Sequence, residues 1–272
     1  MGDSRVSRRS LFGVAAALGL AGQSAAQPGR VWPNGARAAV SLTYDDGLNS
    51  QLDNAVPELK RLGMKATFFL TGANVDWRVA DWEALARDGN EVANHTMTHP
   101  CALAGYTAGR LAHSEIGLME GYLAHAHFGA DRERTFAYPC GYLGVGHGDR
   151  RARYARYRRV LERDGVVAAR TTAGGPNRPE EAAIDPLHLH GFEPTDEADV
   201  VGPALRYLNA TVAQGGWAIL VFHEVLPKCR GDGDASIATH NKILAHIAAL
   251  DVWCAPMDQA FDYVQSRFRK PA

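Results

Sequence analysis

The sequence predicts an α/β protein built on a parallel sheet, either open or closed into a barrel. Short apolar runs alternate along the chain with stretches of helical periodicity, the pattern of repeated βα units. Several of the apolar runs give way at their C-terminal ends to polar residues, where parallel α/β folds gather their functional groups. The chain has 272 residues, 46% of them apolar, which is ample for one large core and short for two.

The elements follow in order. Ala38–Thr43 is an apolar run ending at a polar cluster and reads as a strand. Residues 57–62 form a helix with Pro57 in its first turn and Gly63 as its stop. Ala66–Leu70 is the second strand, Asp81–Asp88 a helix ended by Gly89, and Glu91–Asn94 the third strand. A longer helix carries Leu111, Glu115, Leu118 and Tyr122 at helical spacing, with Ile116, Met119 and Leu123 on a neighbouring stripe. Phe136–Tyr138 and Val166–Ala169 are further strands, and Trp217–Phe222 is the strongest. The final helices bury Ile243, Ile247 and Leu250, then Phe261, Val264 and Phe268.

The overall balance argues against nucleic acid as a partner: the net charge is −1, with no basic excess to meet phosphates. The local run of arginines from Arg150 to Arg159 reads as a solvated helix face. At the N-terminus, Arg8-Arg9 precedes an apolar run from Leu11 to Gly22 and the small residues Ser24-Ala25-Ala26. That run is too short to span a bilayer, so residues 1–26 read as an export signal, leaving 27–272 as the folded domain with no membrane span. Ser7-Arg8-Arg9-Ser10-Leu11-Phe12 resembles a twin-arginine signal, which implies a periplasmic or extracellular protein.

Four polar groups stand at the C-terminal ends of four predicted strands: Asp45-Asp46, His95 with His99, Pro139-Cys140-Gly141, and His223. The spacing of His95 and His99 lets one loop or helical turn aim both imidazoles at a single ion, and a carboxylate as third ligand leaves a position open for water. The adjacent Asp45 and Asp46 suggest two roles, one acid binding the metal and one free to take a proton. Cys101 and Cys140 belong to two of these loops, which favours a disulfide between them in an exported protein and leaves Cys229 to pair with Cys254; four free thiols are the alternative.

Taken together, Thr43-Tyr44-Asp45-Asp46-Gly47, Asn94-His95-Thr96-Met97-Thr98-His99, Phe136-Ala137-Tyr138-Pro139-Cys140-Gly141 and Ile219-Leu220-Val221-Phe222-His223 resemble, in order, four of the five motifs of the polysaccharide deacetylases, carbohydrate esterase family 4, with the NodB homology domain. The resemblance covers roughly residues 38–265 and implies a distorted (β/α) barrel of NodB type with a divalent metal, most often zinc. By position, Asp46, His95 and His99 hold the metal, Asp45 is the general base toward the attacking water, and His223 is the general acid. The backbone N–H of Cys140 joins the metal in stabilising the oxyanion. Pro139 and Gly141 flank the substrate, and Leu220 with Trp217 walls the acetyl pocket.

Two positions depart from the family pattern. Ala137 stands where an arginine normally steers the catalytic aspartate, and the strand Ala168-Ala169-Arg170-Thr171-Thr172 lacks the usual aspartate and tryptophan after it. Arg170 either reaches across to orient Asp45 or pairs with an acid elsewhere. His147 reads as a surface histidine in a glycine-rich loop; His188 and His190 face one side of a segment, toward the pocket or the interior; Trp77 and Trp82 read as core residues that could also stack on sugars. The favoured activity is removal of acetyl groups from an N- or O-acetylated glycan. The alternatives are hydrolysis of C–N bonds in small amides or imides on the same fold, and a glycan-binding protein with no turnover.

Overall fold

The computed structural model describes residues 30–75, 78–126, 128, 134–194, 201–229, 231 and 233–269; residues 1–26, expected from the sequence to be an export signal, and Trp77 lie outside them. Six parallel strands form the main path of the sheet: β1 (Ala38–Asp46), β2 (Thr67–Leu70), β3 (Glu91–Asn94), β4 (Arg134–Ala137), β5 (Val166–Arg170) and β6 (Trp217–Phe222). Their order is β5-β4-β3-β2-β1-β6. Two short strands, β7 (Val225–Leu226) and β8 (Ala235–Ser236), pair with each other, and β9 (Val252–Cys254) pairs with the start of β1. The curled sheet does not close strand to strand. The segment 177–192 bridges the gap, Leu189 pairing with Arg170 on β5 and Phe192 with Leu220 on β6. This is the distorted barrel expected from the motifs.

Strand residues divide by the two-residue period of the pleat. Leu42, Tyr44, Phe68, Val92, Leu220 and Phe222 pack outward against Leu208, Ile243 and Leu244 of the helices Val201–Gln214 and Ile237–Ala249. Ala39, Phe69, Ala93, Ala137, Ala168 and Ile219 face the other way, into a second core that also holds Trp217 and Phe261. Every residue of β1 but the last is buried, because the strand is covered on both faces, apolar side chains on one and Ser41, Thr43 and Asp45 among those on the other. The alanines on the inner face leave lateral room inside the barrel, and Arg170 uses it.

Several elements extend past their sequence expectation. Strand β1 continues through Asp45 and Asp46, so both acids stand on the strand end. A π-helical turn, Gln51–Ala55, precedes the helix Val56–Leu62, and another, Leu111–Gly117, splits the longer helix. The arginine run forms the helix Arg150–Arg163, capped by the Asp149 carboxylate on the Ala152 N–H. Trp82 is a core residue against Phe68, ring centroids 5.7 Å apart.

At the N-terminal end of the barrel the buried carboxylate of Glu91 gathers four donors. These are the Thr67 hydroxyl at 2.8 Å, the Thr135 hydroxyl at 2.8 Å, the Thr135 N–H at 3.1 Å and the Asp258 N–H at 3.1 Å. One side chain thus ties β2, β3 and β4 to the first turn of the helix Met257–Phe268. Glu91→Ala strands these buried donors and is expected to lower unfolding stability by about 3 kcal/mol, read from denaturant unfolding; an unchanged midpoint sinks this account of the barrel floor.

Candidate active site

Asp45 and Asp46 at the end of β1, His95 just past β3 and His99 in the loop beyond meet at one end of the sheet. Asp46 Oδ1 lies 3.7 Å from His95 Nε2 and 3.6 Å from His99 Nε2. Ligands bound at about 2.1 Å in a tetrahedron stand about 3.4 Å apart, so Asp46 lies close to the separation expected of co-ligands from both imidazoles, and the three side chains could share one divalent ion. His95 Nδ1 lies 2.8 Å from the Ala137 carbonyl, which directs Nε2 toward Asp46 as a supporting shell does for a metal-binding histidine.

The loops pay in backbone strain for this convergence. Among the described residues five non-glycines have positive φ, and four of them, Asp46 (76°), Thr96 (72°), His99 (53°) and Cys140 (54°), belong to this site. Side-chain hydrogen bonds hold the strained loop. The Thr96 N–H donates to Asn94 Oδ1 at 2.7 Å and the His99 N–H to Thr96 Oγ1 at 3.1 Å. The Thr98 N–H and hydroxyl both donate to Glu115. Cys101 and Cys140 form a disulfide, Cα–Cα 5.4 Å, which fastens the His99 loop to the loop after β4.

Asp45 is fully buried beside Arg170, whose Nη2 donates to Asp45 Oδ1. Arg170 also donates to Thr43 Oγ1 from Nη2 at 3.0 Å and from Nε at 3.2 Å. Ala137 and Arg170 are register partners on β4 and β5. The guanidinium missing at the first position therefore stands at the same level one strand over, and the small Ala137 leaves space beside it. Burial raises the Asp45 pKa, but Arg170 and the nearby His95 and His223 outweigh it and hold the carboxyl at about 2. Its second oxygen, Oδ2, lies 3.6 Å from His95 Nε2 and 4.0 Å from His223 Nε2 and is buried with no protein hydrogen bond.

His223 follows β6, and Glu193 Oε1 lies 3.1 Å from its Nδ1. Burial pulls the imidazole pKa down, but Glu193 and the carboxylates of Asp45 and Asp46 outweigh it and push it up to about 9. Gly233 packs over this pair: a Cβ there would stand 2.7 Å from the Glu193 carboxylate and 3.0 Å from His223 Nδ1. Gln51 Nε2 donates to the backbone carbonyls of both Asp45 and His223, fixing the two strand ends relative to each other. Neither Glu193 nor Gln51 carries a sequence signal. Glu193 lies in an irregular segment and Gln51 in a π-turn, so only the packed structure reveals them.

Cys140 and Gly141 form a tight turn after Pro139, and the Cys140 N–H donates to no group among the described residues. Other expectations are corrected. Leu220 does not line the site: strand alternation turns it outward into the helix-packed core, on the face opposite Thr43 and Asp45. Trp217 is also core, its Nε1 donating to Ser41 Oγ at 3.0 Å near the other end of the sheet. Cys229 and Cys254 form no disulfide. Cys254 pairs with Val40 near the start of β1, while Cys229 sits in the loop between β7 and β8, its thiol on the Gly231 and Asp234 carbonyls. His188 and His190 stand edge to face, 5.6 Å apart, and line a separate cavity with Asp185. His147 is exposed, and its carbonyl accepts from Arg156.

The fold is that of solved carbohydrate esterases. A family 4 carbohydrate esterase from Streptomyces lividans superposes with a TM-score of 0.54 at 20% identity, covering 82% of this chain and 93% of that one. Residues 33–158, just under half of the chain, match the polysaccharide deacetylase family model. The match takes in Asp45, Asp46, His95, His99 and Cys140; Arg170, Glu193 and His223 lie beyond it. Among curated relatives, a chitooligosaccharide deacetylase of Sinorhizobium fredii is 43% identical over 63 residues, 23% of this chain and 29% of its own length. A peptidoglycan-N-acetylmuramic acid deacetylase of Bacillus subtilis is 37% identical over 62 residues, 22% of this chain and 13% of its own length. The matched segments thus span less than a third of either relative.

Proposed function

We propose that this protein is a metal-dependent hydrolase that removes acetyl groups from an N- or O-acetylated carbohydrate outside the cytoplasm. One observation carries the reading. A His-His-Asp ligand set shares the barrel mouth with a second carboxylate, Asp45, whose free oxygen is buried between His95 and His223. A structural metal site would need no such base and acid beside it. The match of residues 33–158 to the family model and the glycans named for similar proteins support a carbohydrate substrate, and the resemblance of the N-terminal residues to an export signal supports an exported one.

Asp46, His95 and His99 would hold a divalent ion, and their mix of imidazole and carboxylate suits zinc. When bound, zinc polarises the acetyl carbonyl and lowers the pKa of water. Asp45 Oδ2 takes the proton of the attacking water while Arg170 keeps the other oxygen, and so the carboxylate plane, fixed. The Cys140 N–H donates to the carbonyl oxygen as negative charge develops there. His223, whose pKa Glu193 and Asp45 raise, gives its proton to the leaving nitrogen or oxygen. The C–N or C–O bond breaks and acetate departs. Two carboxylates in one site thus take opposite parts: Glu193 keeps an imidazole charged, and Asp45 stays ionised to receive a proton.

Acetate release from chitin oligomers, peptidoglycan fragments and acetylated xylan tests the reading. Release that is abolished by chelator, restored by zinc and absent in His95→Ala is expected; zinc bound stoichiometrically with no acetate from any glycan would falsify it. Arg170→Ala is expected to lower kcat about 100-fold or more with KM little changed, because Asp45 loses its orientation; unchanged turnover removes the steering role. In Glu193→Gln the His223 pKa falls, so the alkaline limb of the kcat/KM profile moves to lower pH; a limb that stays in place separates Glu193 from the acid.

A further inference from the structure

Beside the Cys140 turn lies a cavity of about 300 Å³ lined by Gly141, Tyr142, Leu143, Gly144, Arg150 and Arg153. Its two cations come from the first turn of the helix Arg150–Arg163, three residues apart and therefore on one face. Among the described residues no carboxylate pairs with either, and the one acid nearby in sequence, Asp149, is engaged in capping the helix at the Ala152 N–H. Arg156, one turn further on, serves the loop instead, its guanidinium donating to the Val145 and His147 carbonyls. The Arg153 guanidinium lies over the Tyr142 ring, 5.0 Å from its centroid, with Nε buried and without an acceptor. Gly144 makes this placement possible, since a Cβ there would stand 2.9 Å from Arg153 Nε and Nη2.

Two arginines in a concave wall, one prearranged by an aromatic ring and a glycine, make a receptor for a carboxylate, which guanidinium binds through charge-assisted hydrogen bonds. The wall starts at Gly141, the residue after the N–H assigned to the acetyl oxygen. We propose that this cavity is a specificity subsite for a carboxylate carried by the acetylated glycan, on the acetylated sugar itself or on its immediate neighbour. The protein then prefers acidic acetylated glycans over neutral ones. The inference rests on reading the adjacent site as a glycan deacetylase, but its test does not need turnover.

The test measures Kd by calorimetry, with the full chain in chelator so that binding is read without hydrolysis. Two probe pairs separate the sources of the carboxylate. One is an N-acetylglucosamine/N-acetylmuramic acid tetrasaccharide and its methyl ester; the other is an N-acetylglucosamine/glucuronic acid tetrasaccharide and its methyl ester. The free acid of at least one pair is expected to bind about tenfold or more tighter than its ester at low salt, with the gap narrowing as salt rises. The pair that discriminates identifies the source. In the double variant Arg150→Gln, Arg153→Gln the acid-to-ester ratio falls to about one. Equal binding of acid and ester in both pairs overturns the subsite, as does a preference that survives in the double variant. Either result leaves the deacetylase reading untouched, because that stands or falls on acetate release.

Discussion

The contact between Arg170 and Asp45 organises the barrel mouth. Both groups are withdrawn from water, with side-chain exposures of 0% and 1%, and neither tolerates that environment alone. Each is therefore bound to the other's position: Arg170 on β5 and Asp45 on β1 lie on opposite sides of the curled sheet, and the pair spans the interior between them. Thr43 completes the link by accepting from Arg170 while donating to the Leu220 carbonyl of β6 at 2.7 Å. Three strands are locked by one buried charge pair. The room it needs comes from the inner-face alanines, Ala93, Ala137 and Ala168, and the Phe69 ring lies beside it, 4.9 Å from the guanidinium carbon.

That lock explains why the loops above can be strained. Asp46, Thr96, His99 and Cys140 all adopt left-handed backbone conformations that side chains other than glycine resist. They persist because rigid strands lie beneath them and because specific bonds pin each one: Asn94 and Glu115 hold the His99 loop, Thr71 and Asn74 hold the Asp46 carbonyl, and the disulfide joins the Cys140 turn to the His99 loop. The result is a site in which one oxygen of Asp46 and the ring nitrogens of His95 and His99 all lie within 4.8 Å of one another.

The relation between Ala137 and Arg170 shows how a motif can fail while its physics survives. A cation that pairs with Asp45 reaches it from within the barrel, and register partners on adjacent parallel strands occupy equivalent depth. Moving the arginine from one to the other keeps its charge in place and changes only the angle of approach. Glu193 is a similar case. A carboxylate beside His223 arrives from the irregular segment that closes the barrel between β5 and β6, where no periodicity marks it.

The sequence by itself determined the sheet, the order of its motifs and the grouping of Asp45, Asp46, His95, His99 and His223 at strand ends, because these follow from local periodicity and from the rule that parallel strands present their C-terminal ends to one side. It also brought Cys101 and Cys140 into neighbouring loops. Only the tertiary structure decided what depends on the pleat and on distance. Leu220 points outward because strand alternation sends its neighbour Ile219 inward, and Cys254 is held beside Val40 while Cys229 sits in the loop between β7 and β8. Gln51, Glu193 and the pocket of Arg150 and Arg153 gain their meaning from residues remote in sequence, and contacts between such residues are fixed by packing, which local pattern does not encode.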